Sequence, residues 1–141
     1  MVKITPADSA FSKCVRERTD YTCEKCGKQY DRSSTGLHAS HFHGRGHYSV
    51  RFDPDNVFSH CYSCHLNFGA NPHDFTQWAI KQLGETRYEI LLEKKNNTNI
   101  GKEIKRLAKK GEVAKHYREQ HKSLVSLRDN GKTGRIEFIG F

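Results

Sequence analysis

CEKCGKQYDRSSTGLHASHFHGRGHYSVRFDPDNVFSHCYSCH, residues 23–65, decides the fold, because it opens on Cys23-Glu24-Lys25-Cys26 and closes on Cys61-Tyr62-Ser63-Cys64-His65. A two-residue gap lets both thiolates of a knuckle reach one ion, and two knuckles complete a closed tetrahedral zinc site. Gly27 after the first pair suits a tight turn. Neither pair sits in the strand–helix–strand context of a thioredoxin-type redox motif, so metal ligation is the stronger reading. Four thiolates leave no open coordination position for water. The expected zinc is therefore structural, and any chemistry has to come from what the cysteines enclose.

They enclose histidines. Seven of the nine fall between His38 and His73. Leu37-His38-Ala39-Ser40-His41-Phe42-His43 reads as a strand, which puts His41 and His43 on one face and His38 and Ser40 on the other. Arg45, Arg51 and Asn56 follow, and His65 stands directly after the last cysteine. A strand histidine, a loop asparagine and a histidine opening a helix after Cys-x-x-Cys is the layout of the H-N-H nucleases. Phosphodiester hydrolysis needs a base to activate water and a divalent ion to stabilise charge on the phosphate and leaving oxygen. His41, as a neutral imidazole, is the expected base. Asn56 is expected to brace the loop that aims it, and His65 to ligate a catalytic Mg or Mn ion. His47, His60, His73, His116 and His121 have no comparable placement.

Outward from this centre, Thr5-Pro6-Ala7-Asp8 signals a helix start, and Phe11, Cys14, Val15 and Arg18 follow at helical spacing, giving a helix over residues 6–19. Cys14 on that stripe reads as a buried small side chain. After the second knuckle, Phe75, Trp78, Ala79, Leu83 and then Tyr88, Leu91 and Leu92 predict two helices parted near Gly84. The Asn-rich residues 96–99 read as a linker. A long helix to about residue 127, weakened by Gly111, is expected beyond it. Residues 135–141 read as a short strand or a docking tail.

The 141 residues suit one domain with an appended arm, and an apolar fraction of 35% leaves a modest core that a metal would help to hold. The absence of a long apolar run or an apolar leader predicts a soluble protein of the cytoplasm, where cysteines serve metals better than disulfides. The net charge of +8 is uneven: residues 1–75 carry nine Lys/Arg against eight Asp/Glu, the remainder fifteen against eight. Such an excess fits nucleic acid as well as mere solubility. Lys102, Lys105, Arg106, Lys109 and Lys110 crowd one helix and would add sequence-independent affinity for phosphate. Arg45 and Arg51 are the expected phosphate contacts near the base, with a salt bridge to Asp53 or Asp55 as the competing reading of Arg51.

From Phe11 to Glu93 the sequence resembles the phage NinG/Rap recombination nucleases. The resemblance is carried by Val15-Arg16-Glu17-Arg18, Ala39-Ser40-His41-Phe42, Arg45, Arg51-Phe52-Asp53-Pro54-Asp55-Asn56-Val57, the second knuckle and Gly69-Ala70-Asn71. It implies a phage-encoded enzyme that cuts branched DNA such as D-loops or Holliday-type junctions, on the ββα-metal fold of junction-resolving endonucleases. Ser40 stands where many H-N-H enzymes carry an acidic metal ligand, so His38 is the candidate to approach the ion in its place. His65 replaces the Asn that some members carry.

The expectation is thus an α+β protein with a zinc-stapled ββα-metal centre in residues 1–95 and a basic helical arm and tail in residues 96–141. Its DNA partner is expected to be branched, and a homodimer would suit cutting of two strands. The rival readings are a non-catalytic zinc-finger DNA-binding or recombination accessory protein, and a sequence-specific H-N-H nuclease on duplex DNA.

Overall fold

Thr5 caps the first helix through its hydroxyl, which accepts from the Asp8 N–H, while the Asp8 carboxylate accepts from the Thr5 N–H at 2.8 Å. This reciprocal capping box, with Pro6 in the first turn, starts α1 (Pro6–Arg18) where the sequence places it. The computed structural model describes residues 2–141. Phe11, Cys14, Val15 and Arg18 are all buried, as their spacing predicts. Burial pushes the Cys14 thiol up to about 12. It is a packing residue whose Sγ donates to the Tyr117 carbonyl.

The architecture is α+β, mostly helical, around a two-stranded antiparallel sheet. In β1 (Leu37–His41) and β2 (Val57–Cys61), Leu37 lies opposite Cys61 and His41 opposite Val57. Between them run the single-turn α2 (Tyr48–Arg51) and a 3₁₀ turn at Pro54–Asn56. Directly after β2 comes α3 (Tyr62–Ala70), so the order is strand, strand, helix. The strand stops at His41, two residues earlier than expected. The Phe42 N–H goes to the Asn56 carbonyl, and both backbone groups of His43 are taken by the Asn56 side chain, which ends the ladder. The face alternation predicted for His41 and His43 therefore does not extend past the strand end.

Two helices follow, α4 (Pro72–Leu83) and α5 (Glu85–Lys95), parted by Gly84 at φ +80, as expected. Phe68, Phe75, Ala79, Leu83 and Leu91 pack with Val50 and Phe58 into one apolar cluster beneath the sheet. The expected long helix is instead two. α6 (Thr98–Lys109) and α7 (Glu112–Asp129) are broken at Gly111, whose left-handed φ of +80 an α-helix cannot accommodate. Residues 96–99 are no extended linker, since Asn97 caps α6 through its side chain.

The larger core joins the two ends of the chain. Phe11, Cys14 and Val15 of α1 meet Val113, Ala114, Tyr117 and Leu124 of α7, and Ile136 and Phe138 of the last residues close over them. The last residues form no strand. They dock, with the Ile136 N–H on the Arg18 carbonyl and the Phe141 N–H on the Tyr117 hydroxyl. The core therefore runs across the boundary expected at residues 95/96. Among the described residues no helix is long and apolar enough to cross a membrane.

Candidate functional site

The first knuckle sits in the loop after α1. Asp20 and Tyr21 both adopt positive φ, which reverses the chain, and the Cys23 N–H closes a turn on Lys28 with Gly27 at φ +80. The second knuckle straddles the end of β2 and the first turn of α3, with Cys61 as the cap whose Sγ accepts from the Cys64 N–H. Glu24 ties the two together: its N–H reaches the Ser59 carbonyl, and its carboxylate accepts the Ser59 N–H at 2.8 Å.

All four sulfurs lie within 4.8 Å of one another, and Cys26 and Cys61 are 3.8 Å apart. That is the edge of a tetrahedron with zinc–sulfur bonds of about 2.3 Å. Burial raises the Cys61 thiol, but the Cys64 N–H and the neighbouring thiols outweigh it and bring it down to about 7. Cys23, Cys26, Cys61 and Cys64 are positioned to hold a zinc ion. Among the described residues they are also the one group of three or more His, Cys, Asp or Glu side chains that is close enough to share an ion.

Beside this staple, His38 and His41 of β1 and His65 of α3 line one cleft. The rings of His38 and His65 are 5.3 Å apart between centroids. The Nε2 of His41 lies 2.9 Å from the Arg51 carbonyl oxygen. A carbonyl only accepts, so Nε2 carries the proton and Nδ1 keeps its lone pair. Burial holds the His41 ring neutral, lowering it to about 4 against the weaker pull of the Arg51 carbonyl. The His65 ring is lowered by burial and by nearby His38 and Arg45, and its Nδ1 is buried without a partner.

His41 and His65 form a wall common to two clefts. One, of about 510 Å³, is lined also by Phe42, His43, Tyr88 and Lys95. The other, of about 710 Å³, is lined by Asp8, His38 and Arg45. Tyr88 and Lys95 carry no signal in the sequence that points to this place. Asn56 is wholly buried beneath the loop: its Oδ1 accepts from the His43 N–H at 2.8 Å, and its Nδ2 donates to the carbonyls of His43 and Val50.

Arg51 requires a correction. It is 2% exposed, and its guanidinium grips Asp8 through two hydrogen bonds of 2.6 and 3.0 Å while donating to the Lys3 and Arg45 carbonyls. With four of its five N–H groups engaged inside the protein and the side chain closed off from solvent, it is a structural ion pair and not a phosphate contact. The competing expectation also fails, because Asp53 pairs with Lys94 and Asp55 with Arg87. Burial raises Asp8, but the Arg51 guanidinium and the Thr5 bonds outweigh it and hold the carboxyl below its usual range. Asp8 and Arg51 fix α2 to α1, and so hold the carbonyl on which His41 rests. No motif marks Asp8 as part of this site, since its partner is 43 residues away.

Arg45 remains at the second cleft, half-buried and with no carboxylate partner among the described residues. Lys102, Lys105, Arg106, Lys109 and Lys110 are exposed on α6, but none lines either cleft. Arg106 is paired with Glu103, and the Lys105 ammonium sits over the Tyr48 ring.

No curated protein and no solved structure matches the chain. A family model described as the bacteriophage lambda NinG protein matches residues 4–126, a span that contains both knuckles, the three clustered histidines, Asn56 and most of α7. The chain belongs to the NinG family of phage proteins.

Proposed function

We propose that this chain is a metal-dependent DNA endonuclease of the H-N-H type, with the β1–β2–α3 unit as its ββα-metal centre. The observation that carries the reading is the His41 ring, anchored through Nε2 on the Arg51 carbonyl so that its Nδ1 lone pair is free, in a residue that lines one cleft with Arg45 and His65. In this reading Nδ1 takes a proton from water as the water oxygen bonds to phosphorus. The bond from phosphorus to the 3′ oxygen breaks, and the departing oxygen takes a proton from solvent water, leaving 5′-phosphate and 3′-hydroxyl ends. Arg45 holds a non-bridging phosphate oxygen and offsets the charge that develops there. Asn56, Asp8 and Arg51 act only by positioning.

His38 and His65 would hold the catalytic ion, and the buried, unpartnered Nδ1 of His65 fits a ligand of this kind. Their imidazoles suit Mn better than Mg, which prefers oxygen donors. When bound, the ion supplies charge against the leaving oxygen. Branched recombination intermediates are the proposed substrates on the strength of the family alone.

The test is cleavage of branched and linear DNA in Mn or Mg, with wild type compared against His41→Ala at matched zinc content. Cutting by wild type and a loss of about 10²–10⁴-fold in the variant are expected for a general base. DNA binding with no metal-dependent cutting would refute the enzyme and leave a zinc-stapled binding protein. Equal cutting of linear duplex would remove the preference for branches.

A further inference from the structure

The nuclease reading leaves open which surface carries the substrate's duplex arm, and the inference drawn here rests on that reading. α1 stands between two concavities. One is the cleft with His38, His41, Arg45 and His65. The other is a groove of about 540 Å³ between α1 and α7, whose charged lining is Lys13, Lys115, Arg118 and Lys122 against the single acid Glu119. Ser9 and Lys13 line both. The groove and the cleft therefore adjoin at Ser9 and Lys13 of α1, and Ser12 and Arg16 also border the cleft.

Lys13, Lys115, Arg118 and Lys122 are exposed, and none makes a salt bridge or a side-chain hydrogen bond among the described residues. They differ in this from Arg51, Arg87, Lys94, Arg106 and Arg135, each of which has a carboxylate. Free cations spaced along a groove, with serine hydroxyls where the groove meets the cleft, are the chemistry that tracks a sugar–phosphate backbone. α6 offers less: Arg106 is neutralised by Glu103, and Lys109 lines a cavity that meets the groove at Pro6 and Arg118 but shares no residue with the cleft.

We infer that the α1–α7 groove holds the phosphate backbone of a DNA duplex arm and leads one strand over Ser9, Ser12 and Lys13 to His41. The groove supplies affinity without sequence preference, and the cleft supplies the chemistry. Because α1 and α7 also share the main core, the track is built on the most extensively packed pair of helices among the described residues.

Two fourfold variants test this. One is Lys13→Gln, Lys115→Gln, Arg118→Gln and Lys122→Gln, and the other is Lys102→Gln, Lys105→Gln, Lys109→Gln and Lys110→Gln, which removes the same charge from α6. Affinity for a labelled duplex is measured by fluorescence anisotropy against salt, with no Mg or Mn added. If three groove cations sit on phosphates, the slope of log affinity against log salt becomes shallower by about 2.7. The affinity lost between about 50 and 200 mM salt then shrinks roughly 40-fold.

The α6 variant should keep a slope nearer wild type. An unchanged slope in the groove variant, or an equal change in the α6 variant, overturns the inference. Cutting is assayed separately, so the two readings fail independently. Wild type that binds with the expected slopes but never cuts defeats the nuclease and leaves the groove standing. Wild type that cuts but has no affinity for duplex defeats the groove and leaves the nuclease standing. Thermal melting checks the fold, and single neutralisations, each worth about 0.9 in slope, serve if the fourfold variant melts early.

Discussion

Asn56 offers the sharpest test of how the centre is held, through a comparison of Asn56→Ala with Asn56→Asp. The side chain is fully buried and satisfies three backbone groups: the His43 N–H, the His43 carbonyl and the Val50 carbonyl. Alanine leaves both His43 groups unpaired, at about 1–3 kcal/mol each, while the Val50 carbonyl keeps the Asp53 N–H, so a loss of about 2–6 kcal/mol is expected. Small domains have only about 5–15 kcal/mol to lose, so the variant stays folded but marginal. Aspartate has nearly the same shape and keeps the acceptor for His43. It also sets a second carboxylate oxygen against two carbonyls at 2.9 and 3.0 Å. That oxygen cannot stay ionised there, so the new carboxyl is raised well above its ordinary value of about 3.9.

The sign follows from linkage. A group whose pKa is higher in the folded than in the unfolded state contributes stability below the unfolded value and loses it as pH rises. Relative to wild type, Asn56→Asp should therefore lose about 1.4 kcal/mol per pH unit above about pH 4, until its folded pKa is passed. By neutral pH that loss reaches up to about 4 kcal/mol, so the closer mimic gives up most of its advantage over Asn56→Ala. Urea unfolding at several pH values, followed by the single tryptophan, Trp78, measures this directly. An aspartate variant that matches wild type at neutral pH, or a pH-independent difference, would refute the assigned bonds.

Three further outcomes follow from the same structure. Metal analysis should find one zinc per chain, and Cys64→Ser, which opens the four-sulfur cluster, should lose that zinc and several kcal/mol of stability. If His41 is the base, its neutral form persists until pH falls through about 4, so the acid limb of kcat/KM should lie near there; a limb near 6.5 would mean a solvated imidazole or another base. His60 is wholly buried among Phe58, Phe68, Phe75 and Trp78 with neither ring nitrogen bonded, so His60→Phe should stabilise the protein by about 1–3 kcal/mol in thermal melts, whereas a lower midpoint would mean that the ring has a partner.

Much of the centre was legible because it is local in sequence or fixed by spacing. The Cys-x-x-Cys pairs need only a turn each, and Thr5-Pro6-Asp8 writes a capping box within four residues. The docking of residues 136–141 was one of two readings that an alternating apolar stretch allows, since only the presence or absence of a neighbouring strand separates them. Arg51 was misread for a different reason. A basic residue beside a histidine cluster resembles a phosphate contact until its partner is known, and Asp8 lies on another element altogether. The break at Gly111 shows the same limit. A glycine in a helical pattern is tolerated or terminal according to what α6 and α7 pack against, and α7 packs against α1 at the far end of the chain. The groove between those two helices has no linear signature, because its cations come from α1 and α7 in equal need of each other.

The docking of Ile136 and Phe138 onto α1 sets an order of assembly. Every zinc ligand is present once residue 64 has been made, whereas the apolar stripe of α1, which Phe52 and Val57 cover in part, is closed over only when α7 and the residues after it arrive. A growing chain thus passes through a stage in which a metal, more than burial, holds its first half, with the α1 stripe still open to water on the side that α7 later covers. How long that stage survives depends on zinc supply during synthesis. Starvation for zinc should therefore appear first as aggregation of newly made protein, while molecules already folded persist.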